Sequence, residues 1–229
     1  MKKWFGLLVV VTSLCLVVAG CGPAADTGEK LLKVGVVAPI TGPNSVVGEE
    51  FKNAVTMAFD NVDWKIGDYT VEVVWVDEET DPEKATRAYE AAIVRDNITC
   101  GLLNWDASVA VALMEVSAQH QVPHFFAMGT AEVVDEKYFS DERYTYWMAK
   151  GWPLPAKLSI GYINALNEAM EKGIWVPAEK RVALYGTDDD WARGFAVAIG
   201  RQFKEAGWEV VSEDYVAIGE TDFYPLLTK

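Results

Sequence analysis

Apolar positions along this chain recur with two periods, and the periods take turns. LLKVGVVA (Leu31 to Ala38) is a nearly unbroken apolar run of strand length. Behind it Phe51, Val55, Ala58, Phe59 and Val62 return at three- and four-residue spacing, which predicts a helix over Val47 to Asn61. YTVEVVWVD (Tyr69 to Asp77) alternates with period two in its first half and closes on the polar turn EETDP, where Asp81 and Pro82 have the chemistry of a helix cap and first turn. Ala85 to Arg95 continues that helix. ITCGLL predicts a third strand, Ala107 to His120 a third helix, and VPHFFAM (Val122 to Met128) a fourth strand. Strands and helices in alternation imply right-handed crossovers and a parallel sheet with helices on both faces.

A second cycle follows the aromatic segment RYTYWMAKGW (Arg143 to Trp152). It comprises a helix over Leu154 to Lys172, the strand RVALYG (Arg181 to Gly186), a helix over Trp191 to Ala206 and the strand WEVVSEDYVA (Trp208 to Ala217). In the closing ETDFYPLLTK, Asp222 is placed as the N-cap of a helix that has barely begun. Two strands and a starting helix do not close an α/β domain, so the expectation is a sequence that stops inside its second lobe. The division expected is a signal over 1–20, a flexible tether over 21–31, an N-terminal α/β lobe over 32–147 and part of a second α/β lobe over 148–229.

The first twenty residues break the alternation. Lys2 and Lys3 precede an apolar core over Leu7 to Val18, and small residues Ala19 and Gly20 precede Cys21. A core this short followed by a small-residue cleavage point reads as a secretory signal and not as a spanning helix. Val18-Ala19-Gly20-Cys21 resembles the lipobox of bacterial lipoproteins, which implies lipid on Cys21. Gly22 to Lys30 are small and polar, as suits a tether.

Composition narrows the partners. A net charge of −14 without a Lys/Arg cluster argues against nucleic acid and anionic membrane surfaces, while 51% hydrophobic residues supply a sizeable core. Of the three cysteines, Cys15 leaves with the signal and Cys21 is the anchor, so Cys100 has no disulfide partner and reads as a small buried hydrophobe. His120 and His124, the two histidines, lack neighbours at metal spacing. Asp77-Glu78-Glu79-Thr80-Asp81 lacks the glycine and distal glutamate of a calcium loop, and Asp188-Asp189-Asp190 precedes a helix where carboxylates cap. The GxSxG elbow, the phosphate loop GxxxxGK[ST] and the dinucleotide GxGxxG are missing, which argues against an enzyme, and no cofactor is implied.

In a parallel sheet, ligands bind beyond the carboxyl ends of the strands. The loops meeting that description are Pro39 to Val47, Asn104 to Ser108, Met128 to Ala131 and Thr187 to Trp191. Hydroxyls such as Ser108 and Thr130 with backbone amides would hold a carboxylate, and Trp105 and Trp191 would be apolar walls.

These residues resemble a known family. VGVVAPITGPNSVVGEEFKNAV looks like the opening of the branched-chain amino-acid type of ABC-transporter substrate-binding protein, the extracellular ligand-binding receptor family. WVDEETDPEKATRAYEAAI, AVALMEVSAQHQVPHFFA, VALYGTDDDWARGFAVAIGRQFKEAGWEVV and GETDFYPLLTK are similar to its later segments in the same order. The resemblance implies a type I periplasmic binding protein, with two doubly wound lobes closing by a hinge on a small ligand passed to an ABC permease. It also implies a monomer outside the cytoplasm, anchored through Cys21. It places the first-lobe contacts in the loop Trp105, Asp106, Ala107, Ser108 and in Met128, Gly129, Thr130. It places a covering aromatic at Trp191, and Val47 stands where the family often has an aromatic. The last departure, with tryptophan and aspartate in a serine-rich loop, widens the ligand class from aliphatic amino acids to aromatic acids, amides or small polyamines. Two other classes stay open: the sensing module of a signalling protein, and an exported enzyme using Asp106 and Asp188 to Asp190 as acid and base.

Overall fold

A computed structural model describes residues 30–127 and 131–228. The expected signal over 1–20, the anchor Cys21, the tether up to residue 29, and Met128, Gly129 and Thr130 lie outside the described residues.

The elements in chain order are β1 (Lys30–Ala38), α1 (Ser45–Asp60), β2 (Lys65–Ile66), β3 (Tyr69–Asp77), α2 (Pro82–Val94), β4 (Cys100–Leu102), α3 (Ala107–His120) and β5 (His124–Phe126). There follow α4 (Glu132–Ser140), α5 (Glu142–Trp147), β6 (Met148–Lys150), α6 (Pro155–Glu171), β7 (Arg181–Thr187), α7 (Asp190–Glu205), β8 (Glu209–Val216) and α8 (Tyr224–Leu227). Six strands form one sheet in the order β2-β3-β1-β4-β5-β6, and β7 pairs with β8 in a second.

The ladders β1/β4, β4/β5, β5/β6 and β7/β8 are parallel, as the alternation implies. The edge departs from that expectation: β2 runs antiparallel to β3, pairing Lys65 with Thr70 and Ile66 with Tyr69. The cause is local. Gly67-Asp68 is a two-residue hairpin connection in which Gly67 takes φ +58°, a conformation glycine adopts without steric cost. Stretches read as loop and aromatic segment carry α4, α5 and β6.

β1 is central, and its side chains feed two cores on opposite faces. Val34 and Val36 pack with Val55 and Val71 on one face, and Val37 with Val76, Tyr89, Leu113 and Met114 on the other. The period of two explains the split, and the continuous apolar run explains why a strand covered on both faces can be central. Asp81 caps α2 as its sequence context predicts, its Oδ1 accepting from the amides of Glu83 at 2.9 Å and Lys84 at 3.0 Å. Asp222 accepts from the Tyr224 amide at 3.1 Å, one residue ahead of the cap position itself, which Phe223 occupies. Cys100 is half-buried instead of fully buried, and burial pushes its thiol up, away from the reactive thiolate.

Candidate functional site

The loops at the carboxyl ends of the strands open on one cavity of about 400 Å³. Asn44 reaches it from behind β1, Trp105, Asp106 and Ala107 from behind β4, Trp152 from behind β6, Thr187 from the last position of β7 with Asp189 and Trp191 behind it, and Ile218 from behind β8. Leu158 and Tyr162, one helical turn apart on α6, complete the wall.

The first loop is fixed by Asp77 at the end of β3. Its carboxylate accepts from the amides of Ile40 at 3.0 Å, Thr41 at 3.1 Å and Glu79 at 3.1 Å, and from the Thr41 hydroxyl at 2.6 Å. Burial alone would raise this carboxyl; the four hydrogen bonds together hold it below the usual range. Asn44 is oriented in turn by donating from Nδ2 to the Thr80 hydroxyl at 3.1 Å.

Behind β4, the fully buried Glu78 takes the Trp105 amide between its two oxygens, each at 3.2 Å. Burial pushes Glu78 up to about 8; the Trp105 amide works against that, and the charges of Asp106 and Asp77 add to it. This carboxyl therefore ties the end of β3 to the loop that presents Trp105, whose ring meets Phe51 edge-on at 6.2 Å. Asp106 caps α3, its Oδ1 accepting from Ser108 N at 2.8 Å and Ser108 Oγ at 2.6 Å. Buried Asn104 donates to the Asp106 carbonyl at 3.0 Å, bracing the same turn.

The facing loop repeats the device. Asp189 caps α7 through the Ala192 amide at 2.7 Å and is bonded to the Thr187 hydroxyl. Trp191 stacks on Phe195 at 5.2 Å with planes 4° apart, and Phe195 meets Tyr162 edge-on at 5.4 Å. Asp188 is paired with Arg193, whose Nε lies 2.7 Å from Oδ1.

Of the residues singled out from sequence, Trp105, Asp106, Ala107 and Trp191 lie together on the cavity wall. Ser108 is tied to Asp106, and Val47 sits in the first turn of α1; neither lines the cavity. Sequence reasoning passed over Trp152, Leu158, Tyr162 and Ile218. For Leu158 and Tyr162 the signal was weak, because an apolar pair four apart on a helix reads equally as core packing, and Trp152 and Ile218 stand as single apolar residues in loops. Of the carboxylates weighed as acid and base, Asp106 and Asp189 are engaged in capping, Asp188 in the Arg193 pair, and Asp190 lies in the first turn of α7; no group of three His, Cys, Asp or Glu among the described residues is disposed to hold a metal.

Two sheets of mainly parallel strands with helices between them, their carboxyl-end loops meeting at one aromatic-walled cavity, define an α/β protein of the doubly wound class. The chain belongs to the periplasmic binding protein family, whose sequence model matches residues 32–229. It is 26% identical over 202 residues to Leu/Ile/Val-binding protein homolog 6 of Brucella abortus (strain 2308), a match covering 87% of this chain and 47% of that protein. The chain thus spans about half the length of the curated relatives it matches. Among solved structures it is similar to an ABC-transporter solute-binding protein of Rhodopseudomonas palustris BisB5 in complex with 3,4-dihydroxybenzoic acid. That match has TM-score 0.72 and 22% identity, over 87% of this chain and 51% of that one. A leucine-binding protein of Thermotoga maritima matches with TM-score 0.69 and 19% identity, over 86% of this chain and 52% of that one. The fold is that of a type I periplasmic binding protein.

Proposed function

We propose that the protein is the extracytoplasmic solute-binding component of an ABC importer and takes a small carboxylate-bearing solute into the cavity. One observation carries the reading: loops from the carboxyl ends of strands in both sheets line the same concave space. Solved neighbours in complex with 3,4-dihydroxybenzoic acid and 4-hydroxybenzoate support a small carboxylate-bearing solute, and Trp105, Trp152, Tyr162 and Trp191 supply aromatic walls for its apolar part. The lobes would divide between Trp147 and Met148. A solute touching both would favour the closed arrangement over the open one by its differential affinity for the two. Lipid on Cys21 would keep the protein at the membrane within reach of its permease.

The test is a thermal-shift panel of aliphatic amino acids, amides, aromatic carboxylates and dicarboxylates. A solute at about a hundred times its dissociation constant adds about 2.7 kcal/mol of stability, which a melting curve resolves. The reading expects at least one carboxylate to raise the melting temperature and Trp105→Ala to abolish that rise. A stabilising solute whose effect Trp105→Ala leaves intact would place the binding site elsewhere.

A further inference from the structure

The four aromatic side chains on the cavity wall come from four separate elements, and three keep much of their surface in water: Trp152 is 41% exposed, Tyr162 62% and Trp191 38%. Aromatic surface gathered around a concavity and left uncovered marks a place that a ligand covers. The charges on the same wall are both negative, Asp106 and Asp189, and no Lys, Arg or His is among the described residues lining it. Both carboxylates are held in place by the amides they cap, at 2.8 Å from Ser108 and 2.7 Å from Ala192. Arg193, the cation close in sequence, is turned to Asp188 and lies over the Tyr215 ring at 4.2 Å. Aromatic faces carry negative potential, so rings and carboxylates here act with one sign.

We infer, resting on the solute-binding reading above, that the solute carries an alkylated ammonium group, seated among Trp105, Trp152, Tyr162 and Trp191 and balanced by Asp106 and Asp189. A primary ammonium needs three hydrogen-bond acceptors, whereas an N-methylated one presents a weakly hydrated apolar shell that ring faces cover. Three indoles and a phenol against two carboxylates already engaged as caps suit the second. With its carboxylate the solute is a zwitterion of the N-methylated amino-acid type. A bare aromatic carboxylate would meet two like charges here and no basic side chain among the described lining residues.

The experiment is calorimetric titration of the purified protein, paired with melting curves, using benzyltrimethylammonium and benzoate, which share a ring and differ in charge, together with glycine betaine and leucine. The expected result is a raised melting temperature with both methylated ammonium compounds and affinity at least tenfold above that for benzoate. Asp189→Asn and Asp106→Asn keep an acceptor for their capped amides, so unliganded stability stays put while affinity for the methylated cations falls about tenfold. Binding of benzoate or leucine as tight as that of the methylated compounds would overturn the ammonium site and leave the solute-binding reading standing. No response to either methylated compound would likewise overturn the ammonium site, while the solute-binding reading falls only if the wider panel above is also silent.

Discussion

β1 ends in five consecutive buried residues, Val34 to Ala38, whereas β7 alternates exposed and half-buried positions along all seven of its residues. The same contrast runs through the helices that cover them. α3 buries eight side chains beneath the first sheet, while four of the five buried positions of α7 are alanine or glycine, Ala192, Ala196, Ala198 and Gly200, with Ile199 the one large side chain among them. The first sheet is thus packed on both faces into a frame whose loops have fixed geometry, exemplified by Asp77 and Glu78. The second sheet presents its part of the cavity from a more lightly packed base. What the difference teaches is that, among the described residues, the two walls of the cavity differ in how firmly they are held, although both set a tryptophan beside a capping aspartate, Trp105 before Asp106 and Trp191 after Asp189.

The largest test of that contrast is truncation of one leucine in each region. Leu113→Ala, in the fully buried core of the first region, is expected to cost about 2–5 kcal/mol, against about 1 kcal/mol for the half-buried Leu184→Ala in β7. Urea unfolding of the two variants decides it; equal losses would erase the difference in packing. Next come two glycines. A Cβ at Gly101 would overlap Tyr89 Oη and His124 Nδ1, which are hydrogen-bonded to each other in the interior, whereas one at Gly200 would sit 3.3 Å from the mobile tip of Leu184. Gly101→Ala is expected to destabilise by about 1–3 kcal/mol. Gly200→Ala is expected to be neutral or stabilising by up to about 1 kcal/mol, because alanine favours the helix; melting temperatures report both.

A smaller effect sharpens the role of Glu78. Its carboxyl is raised to about 8 in the folded chain, so between its ordinary value and 8 the folded state holds a proton that the unfolded state has lost, and stability falls as pH rises. His124, buried and hydrogen-bonded to Tyr89 and the Leu103 carbonyl, is lowered to about 4 by burial, the Leu103 carbonyl opposing; its contribution is lost as pH falls from its ordinary 6.5 towards 4. The two slopes cancel where they overlap. The Glu78 slope therefore stands alone between about pH 6.5 and 8, at up to about 1.4 kcal/mol per pH unit. Glu78→Gln should flatten the stability profile in that interval, and a slope that survives the substitution would belong to other groups.

Much of this architecture was legible from periodicity, because the core runs of β1, β3, α2 and α3 are long and their caps conventional. The stretch from Glu132 to Lys150 was not. Its helices α4 and α5 are short, and an aromatic run such as Tyr144-Thr145-Tyr146-Trp147-Met148 carries no clear period. The β2 hairpin hid for a similar reason, since two residues cannot show alternation, although Gly67-Asp68 was a usable turn signal. At the site, Trp105, Asp106, Ala107 and Trp191 were found because they follow strands directly. Trp152 was missed because β6, the strand it follows, was itself not recognised, and Tyr162 joins them only through the tertiary packing of α6.

The central claim is that one solute touches loops belonging to both sheets. Calorimetric titration of Trp105→Ala and Trp191→Ala with the best-stabilising solute tests it most directly. The account predicts that each substitution lowers affinity at least tenfold while leaving the urea midpoint of the unliganded protein within the small range expected of partly exposed side chains. Full affinity in either variant would mean that the solute rests on one wall alone, and would contradict the claim.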